Sequence, residues 1–189
     1  MSKSSPQPPV PKAENRAFTP EIACLGMAKK LILMRHAQAE SRSGCSDHER
    51  KLSAFGRQQA KAVGLALRDD SIEMVMCSDA ARTRDTLDQL ELPNNPHVEY
   101  MRALYLCSVE TLRQRISEVS DEISTLLIVA HAPSIPHLAA ELSWAQDPRK
   151  ADALTCAYPT ATFSKFEVSG TWQELGEAKP GDKITRPLN

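Results

Sequence analysis

The chain reads as an α/β protein built on a mostly parallel sheet with helices on both faces. Three features predict this. Short apolar runs alternate with longer segments of helical periodicity, the pattern of repeated βα units. Two of those runs, Leu31-Ile32-Leu33-Met34 and Leu126-Leu127-Ile128-Val129-Ala130, are apolar throughout, as strands covered on both faces are. Near the end, Ala161–Val168 and Thr171–Leu175 flank Ser169-Gly170, a hairpin signal that adds one antiparallel strand at an edge.

The elements follow in order. Pro6, Pro8, Pro9, Pro11 and Pro20 fall among Ser, Lys, Glu and Asn, so residues 1–28 are expected to be a disordered tail. The tail lacks the cationic start and apolar centre of a signal peptide. Met27 directly precedes the folded part, and a translation start there would yield the domain without the tail. Residues 29–177 form the domain. A first strand runs from Lys30 to Arg35, and a polar, charged loop from His36 to Leu52. Ser53 is placed as the N-cap of a helix reaching Arg68. Ile72–Cys77 is a strand, Ala80–Leu90 a helix with Thr83, Leu87 and Leu90 on one face. Leu92-Pro93-Asn94-Asn95-Pro96 is a loop before a short edge strand, His97–Met101. Val109, Leu112, Ile116 and Val119 space a helix. Thr125–Ala130 is the most apolar strand and is placed centrally. Pro133 or Ser134 opens the next helix, with Ile135, Leu138, Ala139 and Leu142 inward. Residues 178–189 read as a polar tail that frays.

Bulk properties narrow the function. A chain of 189 residues favours one domain with a real core. Its net charge of -1 predicts no general attraction to nucleic acid or anionic membrane, and no run reaches the length of a membrane span. The five cysteines, Cys24, Cys45, Cys77, Cys107 and Cys156, are scattered and form no C-x-x-C. That pattern fits a reduced, cytoplasmic protein, with Cys77 and Cys107 as small core residues.

The chemistry sits at strand ends. Arg35-His36 follows the first apolar run, Ser78 through Arg84 follows the second strand, and His131 follows the central one. Ligands bind at the carboxyl ends of strands in an open parallel sheet, so residues almost a hundred positions apart would share one crevice. A phosphoryl group carries charge on three oxygens and needs several donors at once. Arg35, Arg82 and backbone N–H groups at helix starts could supply them. His36 could attack phosphorus, and His131 could hold an oxygen.

These residues resemble a known family. Leu-Met-Arg35-His36-Ala, then Ser78-x-x-x-Arg82-x-x-x-Thr86, then Val-Ala-His131-Ala-Pro is similar to the histidine phosphatase, or phosphoglycerate mutase-like, superfamily. Short length, Arg50-Lys51-Leu52-Ser53-x-x-Gly56 and Leu104-Tyr105-Leu106 are closer to its SixA-type branch of protein phosphohistidine phosphatases. The resemblance spans Lys29 to Val168. It implies a three-layer α/β/α sandwich on a mostly parallel six-stranded sheet with one antiparallel strand. It also implies that His36 is the nucleophile and that Arg35, Arg82 and His131 form the phosphate pocket. No cofactor or metal is implied. Ala37 stands where Arg-His-Gly is commonest. Larger members carry a glutamate acid shortly after the third strand; here Met101-Arg102-Ala103-Leu104-Tyr105 holds no carboxylate, and Glu110 is the nearest one downstream.

That missing acid favours a substrate with a good leaving group, phosphohistidine on a protein, over a small phosphate ester. A non-catalytic phosphate-binding module is the third reading. Several residues also have plain structural readings. Ser78 fits a helix cap better than a phosphate ligand. Arg42, Asp47 and Arg50 lie in a charged loop that could line the mouth. His48 reads as solvent-exposed and Arg84 as a surface charge. His131 and His137 are not spaced as a metal pair. Trp144 and Trp172 read as packing aromatics.

Overall fold

The computed structural model describes residues 28–41, 44 and 46–188. The expected disordered tail, Met27, Cys24, Arg42 and Cys45 lie outside those residues, with Ala28 alone of the tail inside them. One sheet holds strands β1 (Lys29–Arg35), β2 (Met74–Ser78), β3 (His97–Met101), β4 (Thr125–Ala130), β5 (Phe163–Val168) and β6 (Thr185–Leu188). Their order is β3-β2-β4-β1-β5-β6. The helices are α1 (Ala54–Leu67), α2 (Ala81–Leu90), α3 (Val109–Ser117), α4 (Ser134–Trp144), α5 (Pro148–Cys156) and α6 (Trp172–Glu177).

The period of two along the strands divides the core between two faces. Leu31, Leu33, Met76, Leu126 and Ile128 point to one side, where they pack with Leu112 and Ile116 of α3, Ile135 and Leu138 of α4, and Trp172 and Leu175 of α6. Ile32, Met34, Val75, Cys77, Leu127 and Val129 point to the other, against Val63 and Leu67 of α1 and Leu87 and Leu90 of α2. The result is the three-layer α/β/α sandwich on a mostly parallel sheet. β4 is buried along its whole length and β3 is an edge, as expected.

The last third of the chain departs from the sequence reading. Thr171–Leu175 is not a strand. Thr171 caps α6, and its side chain and that of Glu174 each accept from the other's backbone. This Thr-x-x-Glu capping box is visible in the sequence, but the Ser169-Gly170 hairpin signal argues strand. Within the segment expected to fray, Thr185–Leu188 is instead a strand that pairs antiparallel with β5. β5 therefore lies inside the sheet, antiparallel to β1 on one side and to β6 on the other. Helix α5 was not read from the sequence, although Asp147 as N-cap before Pro148 marks its start. Trp172 is fully buried, but Trp144 is 48% exposed and is not a core residue.

The register carries the function. β1 pairs with β4 in parallel so that Arg35 is opposite Ala130. The next residue of each strand is therefore a histidine on the same rim. Beside them β2 ends at Ser78, and α2 begins three residues on. On the outer face α1 and α2 approach closely at Gly64, where an added Cβ would lie 2.0 Å from the Leu90 carbonyl oxygen. We expect Gly64→Ala to destabilise the fold by about 1–3 kcal/mol, read as a lower urea midpoint. An unchanged midpoint would show that the two helices separate freely.

Candidate active site

Arg35, His36, Arg82 and His131 are brought together, as the sequence reading expected. They line one open pocket with Gln38, Ala39, Asp47, Arg50, Leu106, Ala132 and Thr160. The His36 and His131 rings meet edge to face, centroids 5.2 Å apart. Both rings are buried, as is Arg82.

His36 is held in one tautomer. Its Nδ1 lies 2.7 Å from the Ala37 carbonyl oxygen, an acceptor, so Nδ1 carries the proton. Nε2 then keeps its lone pair, and Arg82 donates to it from Nε at 3.2 Å. Burial first, then the charges of Arg82, Arg35 and Arg50, push the His36 pKa down to about 4, against the Ala37 carbonyl, which favours the charged ring. At neutral pH the ring is uncharged and ringed by cations.

His131 is set by Ser78. Its Nε2 lies 2.9 Å from the Ser78 hydroxyl. With that hydroxyl donating, Nδ1 carries the ring proton. Nδ1 is buried without a protein partner among the described residues, and so is Nε of Arg35. Buried polar groups are normally satisfied. With Nε of Arg50, which is buried and unpartnered in the same way, three such groups on side chains that line a single pocket suit an oxyanion with several lone pairs. Burial, with the charges of His36, Arg82 and His48 and against Asp47, takes the His131 pKa down to about 3.

Ser78 therefore does not cap α2. The N-cap is Ala80, with no side-chain bond. Thr83 closes that turn instead, donating to the Ser78 and Ala80 carbonyls at 2.8 and 2.7 Å. Arg35 donates from Nη1 to the Tyr158 carbonyl at 2.7 Å, which aims a side chain on the rim of β1. Arg50 reaches the pocket from the loop. Glu110 does not: it is exposed in the first turn of α3, where the Ser108 hydroxyl holds its carboxyl below the usual range. His48 is not simply solvated, since its Nε2 lies 2.7 Å from Asp79 Oδ1 and its ring packs edge-on to Tyr105. Arg84 is exposed, as expected, and stacks on Tyr100.

Asp47 is the residue that the sequence reading undervalued. It sits on a one-turn 3-10 helix, Asp47–Glu49, closed by a Ser46–Glu49 capping box. Arg82 donates to its carbonyl at 2.6 Å and to Oδ2 at 3.1 Å. Tyr105 donates to Oδ2 at 2.8 Å and Arg50 to Oδ1 at 2.9 Å. Asp47 thus orders both guanidiniums. The one available signal was its spacing, three residues before Arg50 on a helical turn. Thr160 had no signal at all. Among the described residues no group of three or more His, Cys, Asp and Glu could hold a metal ion, and no helix is long and apolar enough to cross a membrane.

The buried neutral rings make stability depend on pH. Unfolding returns each imidazole to a value near 6.5. Below that pH the unfolded chain takes up protons that the folded chain refuses. Stability is complete above about 6.5 and is lost as pH falls toward about 4 for His36 and about 3 for His131. Stability, read from the urea midpoint, should fall between pH 6.5 and 4.5, by at most about 1.4 kcal/mol per pH unit for each ring. His131→Gln should flatten that slope; an unchanged slope would mean this ring is not kept neutral by the fold.

The comparisons with known proteins agree with this geometry. A sequence model of the histidine phosphatase superfamily (branch 1) matches residues 31–105. An uncharacterized protein of Mycobacterium leprae is 34% identical over 151 residues, 75% of this chain and 91% of the relative. A structure from Nakamurella multipartitia, provisionally assigned as phosphohistidine phosphatase SixA, superposes with a TM-score of 0.69 at 33% identity, covering 86% of this chain and 98% of that one. A mycobacterial glucosyl-3-phosphoglycerate phosphatase shares the fold at a TM-score of 0.59 and 16% identity, over 85% and 97% of the two chains. The chain belongs to the histidine phosphatase superfamily, in its SixA-like branch.

Proposed function

We propose that the protein is a phosphohistidine phosphatase that acts on phosphorylated proteins through a phosphorylated His36. The observation that carries this reading is the lone pair on His36 Nε2. It faces a pocket of guanidiniums; burial and the neighbouring arginines keep the ring uncharged, and the Ala37 carbonyl holds the proton on Nδ1. Nε2 attacks phosphorus and the leaving group departs. Arg35, Arg82 and His131 hold the three equatorial oxygens, whose charge grows in the transition state. Water then cleaves the P–Nε2 bond, and the electron pair returns to the ring.

Phosphohistidine fits because of what the leaving group demands. An alkoxide must be protonated as it departs. An imidazole whose other nitrogen carries a proton leaves neutral. The SixA-like neighbour at 33% identity supports the same substrate class. A small phosphate ester is the second reading, favoured by one observation: Asp47 brings a carboxylate to the pocket. That carboxylate already accepts from Arg82, Arg50 and Tyr105, a poor starting point for an acid.

An aryl phosphate, whose leaving group needs little protonation, tests the chemistry. His36→Ala should abolish nearly all turnover. Background hydrolysis equal in both proteins would leave a phosphate-binding module instead of an enzyme. Arg35→Ala or Arg82→Ala should slow kcat/KM by about 10²–10⁴, roughly 3–5 kcal/mol of transition-state stabilisation; near-normal rates in either would remove that arginine from the site. A phosphohistidine-carrying protein should be turned over much faster than a panel of phosphosugars, and the reverse order would establish the small-molecule reading.

A further inference from the structure

We propose that Asp47 is the base that takes a proton from the water molecule hydrolysing phosphorylated His36. This deepens the reading above and rests on it. The protons of the two half-reactions point to the second step. In the first, His36 attacks as a neutral ring with Nδ1 already protonated, so phosphorylation at Nε2 produces a phosphoimidazolium. A phosphohistidine substrate with its own second nitrogen protonated releases neutral imidazole. Neither side of this step calls for an added acid.

The second step is different. Water forms a bond to phosphorus, the P–Nε2 bond breaks, and its electron pair returns to Nε2, leaving His36 neutral as before. One O–H bond of the water must break, and that proton needs an acceptor. The guanidiniums in the pocket are donors only. His131 Nε2 is engaged with the Ser78 hydroxyl, and burial keeps that ring from accepting a proton. Among the described residues that line the pocket, Asp47 is the only carboxylate.

Its placement fits the role. Arg82 spans the two groups, with Nε on His36 Nε2 and Nη2 on Asp47 Oδ2. The carboxylate therefore stands one guanidinium away from the atom that carries the phosphoryl group. Its side chain is 19% exposed, open to incoming water and also anchored. Donors from different segments fix it, among them Arg82 on α2, Tyr105 after the 3-10 turn Arg102–Leu104, and Arg50 on its own loop. A phosphoryl group entering the pocket competes for the Arg82 and Arg50 donors, which frees carboxylate lone pairs as the intermediate forms.

Rapid-quench kinetics with an aryl phosphate test this with Asp47→Asn and Asp47→Glu. In Asp47→Asn we expect a burst of about one equivalent of aryl alcohol, followed by steady turnover slowed by about a hundredfold or more. Acid-labile phosphate should accumulate on residue 36. Asp47→Glu, which keeps a carboxylate, should recover part of the steady rate. The assignment is overturned if the burst in Asp47→Asn slows as much as the steady rate without phosphoenzyme accumulating. In that case Asp47 protonates the leaving group or merely orders Arg82. It is equally overturned if Asp47→Asn hydrolyses its phosphoenzyme at the wild-type rate. Turnover that survives in His36→Ala would instead sink the covalent route beneath it.

Discussion

Register between β1 and β4 is the constraint on which the site depends. Arg35 faces Ala130 across a parallel ladder, so both strands reach the rim at the same height and each continues into a histidine. A slip of one residue would turn every side chain of β1 to the opposite face, putting Ile32 and Met34 where Leu31 and Leu33 now pack. The run is apolar on both faces, so what opposes that slip is the fit of each side chain in its own cluster and the charged ends of the strand, Lys30 paired with Asp70 and Arg35 held by the Tyr158 carbonyl. The placement of the two histidines is thus borrowed from the packing of the strand. The strand itself is held by residues far from the chemistry, and this lets the rim carry a cluster of polar groups that would not hold together alone.

The cluster is an electrostatic balance. Three guanidiniums converge on a pocket that also holds two imidazoles. Burial and the arginines keep both rings uncharged, so the pocket's positive charge is left for an oxyanion. Asp47 and backbone carbonyls occupy the arginine donors meanwhile: Arg82 and Arg50 on Asp47, Arg35 on Tyr158. On the proposed reading an incoming phosphoryl group competes with Asp47 for the Arg82 and Arg50 donors, and also meets Nε of Arg35 and Nδ1 of His131, unpartnered among the described residues. The 3-10 turn bearing Asp47 is closed by its own capping box and tied to the fold by Leu52, whose N–H donates to Asp85.

The neighbours illustrate how one scaffold serves different leaving groups. The glucosyl-3-phosphoglycerate phosphatase has the same fold at 16% identity, and so fold alone does not select a substrate. On the proposed reading the selection lies in which proton the pocket can move. A site built around one anchored carboxylate suits a reaction whose difficult proton belongs to water.

The sequence by itself determined the sandwich, the central place of β4, the edge place of β3 and the meeting of Arg35, His36, Arg82 and His131. These follow from strand-length apolar runs and from the rule that parallel strand ends share a crevice, which need no knowledge of side-chain contacts. The tertiary structure alone decided the rest. Ser78 turned from a helix cap into the partner of His131, because a residue ending a strand points along the rim and not back over the helix. Glu110 fell away, because α3 starts on the surface beyond the pocket. Asp47 gained its place only through Arg82 and Tyr105, which lie 35 and 58 positions away. Thr171–Leu175 became helix and Thr185–Leu188 strand, because short segments are settled by what they pack against. Local pattern specifies faces and ends, whereas a polar contact between distant segments exists only once the chain has folded.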